Sequence, residues 1–253
     1  MFPADRHRRI LEEITSRGTA LTTELAESLS VSDMTIRRDL NELHEQGLLI
    51  KVHGGATSLS NTLEPVFDVK AQQYVEEKNS IAHRAVEYVR AEQTVGFSAG
   101  STCVLIAQQI MHVPSLTVVT NSLQVANVFY ASESDATVLL TGGVRTPSDA
   151  LVGPLADNNL KNLHIDTLFI GAHGADPRQG LMTPNLQEAQ TNQKLIEASR
   201  QRIAVFDGSK WSVTGLATFA SFQEIDVVIT SKATDNEMQH IDWDALPSRV
   251  VMA

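Results

Sequence analysis

The chain contains one cysteine, Cys103, among its 253 residues. A single cysteine excludes an internal disulfide framework and is typical of a reducing compartment. No segment approaches the roughly 18 uninterrupted apolar residues of a membrane span, and the N-terminus lacks the apolar core of a signal peptide. We therefore expect a cytoplasmic protein without a membrane segment.

Positive charge is also scarce, because 20 Lys and Arg residues stand against 30 Asp and Glu and the formal net charge is −10. Residues 1–57 carry 7 basic and 9 acidic side chains. This balance of basic and acidic side chains argues against a protein that binds nucleic acid over most of its surface. Any DNA binding must depend on local groups of basic residues. These groups comprise Arg6, Arg8, Arg9, Arg37, Arg38 and Lys51.

Cofactor motifs are missing as well. The sequence has neither a G-x-G-x-x-G fingerprint nor a Walker A lysine loop, so we expect no nucleotide cofactor. His164 and His173 have no cysteine or second histidine at ligand spacing, which favours structural histidines over a metal site. The length is sufficient for two domains with full cores.

The most informative stretch covers residues 29–43. Ser32 is a good N-cap for a helix, since its hydroxyl can accept a free backbone N–H of the first turn. Ile36, Leu40 and Leu43 then recur on one helical face. At roughly 100° per residue, Arg38 points away from that apolar face. The helix therefore packs on one side and offers polar groups suited to a DNA major groove on the other. An amphipathic surface helix with solvated arginines is the alternative.

The neighbouring segments favour DNA binding. Residues 6–16 predict a helix stopped by Gly18, Thr22 caps a second short helix, and Gly47 ends the third. Residues 48–52 and 56–59 then read as two strands joined by a turn. Three helices followed by a hairpin indicate a winged helix-turn-helix, whose second helix of the pair enters the groove. The candidate DNA-binding residues are Ser32, Thr35, Arg37, Arg38, Asn41, Lys51 and His53.

The rest of the chain alternates between predicted strands and helices. Strand candidates are residues 94–98, 116–120, 137–141, 167–171, 202–206, 226–230 and 249–252, with a possible extra strand at 217–222. Helices are expected at residues 74–90, 101–111, 123–131 and 186–200. This alternation predicts a Rossmann-like, mostly parallel α/β sheet covered on both faces. We therefore divide the chain into a DNA-binding domain (1–57), a linker (58–73) and an α/β sensor domain (74–253).

Polar, glycine-containing segments follow several predicted strands. Ligands of open α/β sheets bind at the carboxyl ends of strands, and a helix start there favours an anion such as phosphate. Arg145 could hold phosphate through two hydrogen bonds. Acidic and basic groups nearby, including Asp207, could serve as acid or base or bond sugar hydroxyls. The candidate ligand-binding residues are Gly100, Ser101, Thr102, Asn121, Ser122, Gly143, Arg145, Asp176, Glu188 and Lys210.

Together these motifs resemble the DeoR family of transcriptional regulators over essentially the whole chain. The resemblance is carried by residues 31–40, 52–56, 100–102, 120–123, 141–143, 166–171 and 206–211. It implies a bacterial repressor of a carbohydrate pathway whose C-terminal domain is similar to ribose-5-phosphate isomerases. By that analogy Ser101 and Thr102 hold a phosphate, Arg145 and Lys210 are charge partners, and Glu188 and Asp176 face the sugar.

The sequence departs from the family pattern in two places. The family commonly has an acidic residue at the position of Ser98, and a Lys or Arg at the positions of Asn192 and Gln193. The nearest base here is Lys194, one helical step of ~100° further on. These departures imply an altered ligand preference, so glycerol phosphates, uronates and nucleosides stay open beside sugar phosphates.

We therefore expect a homo-oligomeric repressor, not an enzyme, that reads a palindromic operator and is controlled by a phosphorylated sugar. Arg37, Arg38 and Thr35 would touch bases or phosphates, and Lys51 and His53 the backbone beside the wing. The alternative is a sugar-phosphate isomerase-like enzyme carrying a DNA-binding domain. An architectural DNA-binding protein is disfavoured, because it leaves the α/β domain without a role.

Overall fold

The computed structural model describes residues 3–17, 19–46, 48–52, 54–58, 67–232, 241–243 and 246–253. The chain divides into two compact units, residues 1–65 and 66–253. The predicted helix stops at Gly18 and Gly47 lie outside the described residues, as does His53. Within the described ranges, no helix is both long and apolar enough to cross a membrane.

The N-terminal unit is a winged helix-turn-helix, as predicted. Its elements are α1 (Pro3–Arg17), β1 (Thr19–Leu21), α2 (Thr22–Ser28), α3 (Asp33–Glu45), β2 (Leu49–Val52) and β3 (Gly55–Ser58). The three strands form an antiparallel sheet in the order β1-β3-β2. A Cβ on Gly55 would stand 2.2 Å from the Ala20 carbonyl oxygen, so glycine is required at this position of β3, beside β1.

The recognition helix α3 forms as its sequence predicts. Ser32 precedes it in extended conformation, and its hydroxyl accepts a hydrogen bond from the Thr35 N–H. Ile36, Leu40 and Leu43 are buried in the core of the unit. The expected cap of α2 is wrong: Thr22 is the first helical residue, and Leu21 precedes it without a side-chain cap.

The C-terminal unit contains helices and strands in alternation. Its helices are α4 (Phe67–Gln72), α5 (Val75–Ala85), α6 (Ser101–Ile110), α7 (Leu123–Ala131), α8 (Pro154–Leu160) and α9 (Leu186–Glu197). Its main strands are β4 (Thr94–Phe97), β5 (Thr117–Thr120), β6 (Thr137–Leu140), β9 (Ile165–Ile170), β12 (Ser199–Phe206), β14 (Val227–Thr230) and β15 (Arg249–Met252). Shorter strands are β7 (Val144–Arg145), β8 (Leu151–Val152), β10 (Gly174–Asp176), β11 (Gly180–Thr183) and β13 (Ala217–Ala220).

The main sheet has seven parallel strands in the order β15-β14-β12-β9-β4-β5-β6. The chain runs outward from β4 to β6 and then returns to β9 on the other side of β4. Leu168 and Ile170 pack into one hydrophobic cluster and Phe169 into another, because neighbouring side chains of a strand point to opposite faces. The predicted Rossmann-like sheet, covered on both faces, is confirmed.

Several local features differ from the expected pattern. Residues 67–72, placed in the linker from the sequence, form α4. The long helix expected at residues 74–90 is α5 followed by a 3-10 turn, Val86–Tyr88. Helix α8 and the hairpins β7–β8 and β10–β11 were not predicted, since elements of two to seven residues are too short for periodicity to show. The extra strand β13 joins β10 and β11 in a separate sheet.

Candidate functional site

The outward face of α3 carries the basic residues expected to read DNA. Arg37 and Arg38 are exposed, and the side chain of Arg38 keeps 82 % of its surface accessible. Arg38 Nε donates to Glu42 Oε1, one turn further along the helix, at 3.1 Å. Met34 is also 75 % exposed. This face thus combines guanidinium groups with an apolar tip that sequence reasoning did not assign.

Four of the predicted DNA-binding residues contact one another in two pairs. The hydroxyls of Ser32 and Thr35 lie 2.9 Å apart at the start of α3. The Lys51 ammonium group on β2 donates to Asn41 Oδ1 on α3. The second contact places the base of the wing beside the recognition helix, so both present polar groups to the same side.

Arg6 does not belong to the exposed basic group. It is buried, and its Nε and Nη2 donate to the two carboxylate oxygens of Asp39 at 2.5 and 2.9 Å. His7 Nε2 also lies 3.1 Å from Asp39 Oδ1. Burial alone would raise the pKa of Asp39, but the hydrogen bonds from Arg6 and His7 outweigh it and lower that pKa. Arg6 therefore joins α1 to α3 and is unavailable to DNA.

In the C-terminal unit, the strand order reverses between β4 and β9. Ser98 follows β4, is buried, and accepts a hydrogen bond from the Gly171 N–H after β9 at 2.9 Å. A Cβ on Gly171 would stand 3.6 Å from the Ala99 carbonyl oxygen. Gly100 and the start of α6 come next in the chain, which puts Ser101 and Thr102 at this reversal. A crevice at such a point is where open α/β sheets bind ligands.

Asn121 and Ser122 follow the next strand, β5, but play different parts. Ser122 Oγ accepts from the Val125 N–H and caps α7. Asn121 is fully buried, and its Nδ2 donates to the Leu151 carbonyl at 3.2 Å. Its Oδ1 has no hydrogen-bond partner among the described residues. Of these two neighbouring residues, Asn121 is therefore the one with a buried acceptor that has no partner among the described residues.

The glycine and arginine after β6 are held by the β7–β8 hairpin. Gly143 has φ +121°, and a Cβ there would stand 2.6 Å from the Val152 carbonyl oxygen, so only glycine fits. Arg145 Nε donates to Asp149 Oδ1 at 2.6 Å. Burial would raise the pKa of Asp149, but hydrogen bonds from Gln124 and Arg145 lower it below its usual range. Nε and Nη2 of Arg145 therefore face Asp149, and a phosphate would compete with that carboxylate for them.

The two expected sugar-facing carboxylates also have structural partners. Asp176 Oδ1 accepts from the backbone N–H groups of Arg178 and Gln179, both at 2.8 Å, and so closes the β10–β11 turn. Glu188 is buried on α9 and accepts from the Thr183 hydroxyl at 3.3 Å. The hydrogen bonds of Asp176 give it a structural role in the turn. Glu188, in contrast, is a buried carboxylate beside a hydroxyl group.

Two lysines near the predicted Lys210, Lys70 and Lys78, were missed by the sequence analysis. The buried Lys78 on α5 donates from Nζ to the carbonyls of Lys70 and Gln73, at 2.5 and 2.6 Å. Burial lowers its pKa to about 8, with Asp207 opposing that shift and Lys210 and Lys70 adding to it. Lys70, Lys78, Lys210 and Asp207 are therefore electrostatic neighbours. The sequence signal that could have identified Lys78 is its position on the apolar face of a helix, the face that also carries Ala85.

His173, on the loop after β9, faces the same cations. Burial lowers its pKa to about 3, and the charges of Lys70 and Lys210 add to the shift. Its imidazole is consequently neutral at physiological pH. Two buried acceptors, Asn192 Oδ1 and Asp207 Oδ2, lack hydrogen-bond partners among the described residues. Buried polar atoms are normally satisfied, so these two acceptors call for a partner from outside the described residues, either a water molecule or a polar ligand.

Comparisons with known proteins agree with both units. A model of the DeoR-like helix-turn-helix domain matches residues 6–62, and a model of the DeoR C-terminal sensor domain matches residues 73–232. The HTH-type transcriptional regulator GlpR of Haloferax volcanii is 37 % identical over 93 % of this chain and 92 % of its own. The lactose phosphotransferase system repressor of Staphylococcus epidermidis is 35 % identical over 89 % and 91 %.

The glycerol-3-phosphate regulon repressor of Escherichia coli is 33 % identical over 91 % of both chains. Among solved structures, a D-ribose-5-phosphate isomerase in complex with phospho-erythronic acid covers 54 % of each chain, with a TM-score of 0.41 and 17 % identity. That structural likeness is too low to bear on function. The two family models and the full-length relatives show that this chain belongs to the DeoR family of transcriptional regulators.

Proposed function

We propose that this protein represses a carbohydrate or polyol operon. A phosphorylated metabolite, bound in the C-terminal unit, lowers its affinity for operator DNA. The observation that carries the proposal is that Lys70 and Lys210 act electrostatically on both the buried Lys78 and the neutral His173, with Asp207 opposing them at Lys78. Three ammonium groups beside the carboxylates of Asp207 and Glu77 leave a local excess of one positive charge. In a chain with net charge −10, such an excess favours a compact anion.

The remaining groups suit the uncharged part of such a ligand. The unpartnered oxygens of Asn121, Asn192 and Asp207 can accept hydrogen bonds from hydroxyl groups. The neutral imidazole of His173 can donate or accept. A ligand that places a phosphate at the lysines and hydroxyl groups at these acceptors is a phosphorylated sugar or polyol. Ser101 and Thr102, at the start of α6, supply further polar groups at the strand reversal.

The names of two relatives point to the same class of metabolite. One concerns the glycerol-3-phosphate regulon and the other a lactose phosphotransferase system. Ser98 occupies the position where the family commonly has a carboxylate, and its hydroxyl is engaged with Gly171. The pocket therefore has one negative charge fewer than the usual pattern. This difference favours an anionic ligand over one that needs a carboxylate partner.

On the DNA side, α3 would lie in the major groove, with Arg37, Arg38 and Thr35 toward bases or phosphates and Lys51 beside the backbone. Arginine reads guanine through two parallel hydrogen bonds. The exposed Met34 can contact a thymine methyl group. Two copies of the winged unit would read the two halves of a palindromic operator, which requires a homo-oligomer.

Thermal unfolding with a panel of ligands tests the effector class. The panel holds glycerol 3-phosphate, fructose 6-phosphate, galactose 6-phosphate and ribose 5-phosphate, each beside its unphosphorylated parent. A ligand at 100 times its Kd stabilises the native state by about 2.7 kcal/mol, a shift of several degrees. We expect a phosphorylated member to give this shift and Lys210→Met to abolish it. Lys161→Met, at an exposed lysine, is the control. A shift by the unphosphorylated parents alone would reject the anion site.

A further inference from the structure

The joint between α4 and α5 adopts a backbone conformation that its sequence does not favour. Tyr74, the residue before α5, has φ +51° and ψ +42°, in the left-handed region. That region is unfavourable for residues with a Cβ and is an outlier for a bulky side chain. Tyr74 also makes no side-chain hydrogen bond that caps α5, although serine or asparagine at this position normally would. The joint is therefore held by contacts from elsewhere in the fold.

The buried Lys78 side chain supplies such a contact. From α5, its Nζ donates to the carbonyl oxygen of Lys70, in the last turn of α4, at 2.5 Å. It also donates to the carbonyl oxygen of Gln73, in the turn after α4, at 2.6 Å. Hydrogen bonds from a charged donor are stronger than those from a neutral one. We call the Lys78 ammonium group and these two carbonyls the α4 latch.

One hydrogen-bond donor of Lys78 is not used by the α4 latch. An ammonium group has three N–H donors, and two of them bond the carbonyls of Lys70 and Gln73. The third has no acceptor among the described residues. Lys78 is only 3 % exposed, so bulk solvent does not satisfy this donor. The donor therefore calls for an acceptor from outside the described residues, either a water molecule or an oxygen atom of a ligand.

The helices on both sides of the joint pack against elements of the candidate effector site. Both α4 and α5 contact α6, which begins at Ser101. Helix α5 also contacts β12, and Asp207 follows the last residue of that strand. The α4 latch is thus part of the wall of packed elements that surrounds the candidate site.

The charges of the candidate site act on the same ammonium group. Burial lowers the pKa of Lys78, the positive charges of Lys210 and Lys70 add to that effect, and the carboxylates of Asp207 and Glu77 oppose it. An anion placed among these groups would favour the charged form of Lys78. It would also strengthen the hydrogen bonds that this ammonium group donates to the α4 carbonyls.

The position of α4 in the chain gives the joint a possible effect on the winged unit. The N-terminal unit ends at residue 65, the C-terminal unit begins at residue 66, and α4 begins at Phe67. Helix α4 is therefore the first element of the C-terminal unit that the chain enters after the winged unit. A change in its position acts directly on the segment that connects the two.

We propose that the α4 latch couples effector binding to operator affinity: an oxygen of the phosphorylated ligand accepts the third N–H of Lys78, and the closed latch corresponds to low operator affinity. Release of α4 removes the strain at Tyr74, so strain and the Lys78 hydrogen bonds favour opposite states of the joint. A two-state element that the ligand biases is the physical basis of such coupling. The inference rests on the proposed function, and it adds the element through which the ligand acts.

Two substitutions bias the α4 latch in opposite directions without any ligand. Tyr74→Gly removes the left-handed strain, because glycine adopts this region readily, and favours the closed latch. It should lower operator affinity roughly fivefold or more, the factor that corresponds to the usual cost of a left-handed residue. Lys78→Met removes the donor and should leave operator affinity at or above that of the wild type. Fluorescence anisotropy with a DNA duplex selected from a random pool gives these affinities.

Each substitution has a matched control in the C-terminal unit. Glu92→Gly relieves the same kind of backbone strain at an exposed residue with φ +64°, outside the α4 latch. Lys161→Met removes the charge of an exposed lysine. Both controls should leave operator affinity unchanged. A purely structural role of Lys78 predicts that Tyr74→Gly and Glu92→Gly behave alike, which would overturn the inference.

Hydrogen exchange of the α4 amides tests the closing of the latch by ligand. The probes are glycerol 3-phosphate, fructose 6-phosphate and galactose 6-phosphate, each at a concentration that saturates its thermal shift. We expect the compound that binds to slow exchange at residues 67–73 of the wild type about fivefold or more, the lower end of a typical coupling. The same compound, bound to Lys78→Met, should not slow exchange there.

The outcomes separate this inference from the proposed function. A compound that binds and weakens operator binding without slowing α4 exchange would overturn the α4 latch and leave the proposed function intact. If none of the compounds binds, the proposed effector class is rejected. The ligand-free comparison of Tyr74→Gly with Glu92→Gly then decides whether α4 controls operator affinity. Should Lys78→Met fail to fold, that comparison and the wild-type exchange data decide.

Discussion

The Arg6 guanidinium on α1 holds both carboxylate oxygens of Asp39 on α3, at 2.5 and 2.9 Å, inside the N-terminal unit. The two residues are 33 positions apart, so this pair joins the first helix to the recognition helix. Breaking one side of a buried ion pair leaves an uncompensated charge, whereas replacing both partners with apolar residues removes the cost of burying them.

Asp39→Ala should therefore destabilise the winged unit by about 3–5 kcal/mol, the usual cost of breaking a buried pair. The double variant Arg6→Met with Asp39→Leu should recover most of that loss. Urea unfolding followed by circular dichroism gives both values. Arg8→Ala, at an exposed arginine of the same helix, is the control and should change stability by less than about 0.5 kcal/mol. Equal effects for Arg8→Ala and Asp39→Ala would show that the pair is not structural.

The same pair makes the winged unit sensitive to acid. The pKa of Asp39 is lower in the folded chain than in the unfolded one, so its contribution is present above the unfolded pKa of about 3.9 and is lost as pH falls through the folded value. We expect the protection factors of α3 amides against hydrogen exchange to fall below about pH 4. Asp39→Asn should remove this acid-dependent step. A wild-type profile that matches Asp39→Asn across this range would contradict the assignment.

Arg38→Ala should weaken specific operator binding by about 1–3 kcal/mol, or roughly 5–150-fold, if Arg38 makes a two-point contact with a base. Arg84→Ala is a matched control, since Arg84 is also an exposed helical arginine paired with a glutamate, in the C-terminal unit. A DNA duplex selected from a random pool serves as the operator, and fluorescence anisotropy gives the affinity. Equal affinity for Arg38→Ala and the wild type would remove Arg38 from the interface.

Effector binding should weaken at alkaline pH. Burial lowers the pKa of Lys78 to about 8, so one positive charge is lost as pH rises from 7 to 9.5. A bound phosphate interacts better with the charged amine, and the phosphorylated ligand should lose about three- to tenfold in affinity over that interval. Calorimetric titration at several pH values measures this. Lys78→Met should bind more weakly and show no such slope; the same slope in that variant would assign the titration to another group.

Much of the N-terminal unit could be predicted because its information is local. The 3.6-residue spacing of Ile36, Leu40 and Leu43 determines which side of α3 is buried, and Ser32 marks where the helix begins. The Arg6–Asp39 pair could not be predicted, since it depends on how two helices pack. From the sequence alone Arg6 looked like one more member of a basic group.

The sequence analysis placed Lys210 in the candidate effector site but did not include Lys70 and Lys78. Strand–helix alternation correctly indicated the sheet, and the strand ends then indicated its carboxyl edge. Lys70 and Lys78 precede the first strand of the sheet, in a segment expected to be a linker and a helix. Asp207 and Lys210, which follow β12, act on Lys78 only because α5 packs against β12. Sequence spacing carries no record of that contact.

We propose that a phosphorylated ligand at the lysine cluster controls DNA binding. The most direct test is the operator affinity of the wild type and of Lys210→Met, each with and without glycerol 3-phosphate, fructose 6-phosphate or galactose 6-phosphate at saturating concentration. We predict that one of these compounds weakens operator binding by the wild type about 5–150-fold, the range of a 1–3 kcal/mol coupling, and leaves Lys210→Met unaffected. An unchanged operator affinity with ligand demonstrably bound, or an equal response by Lys210→Met, would contradict the account.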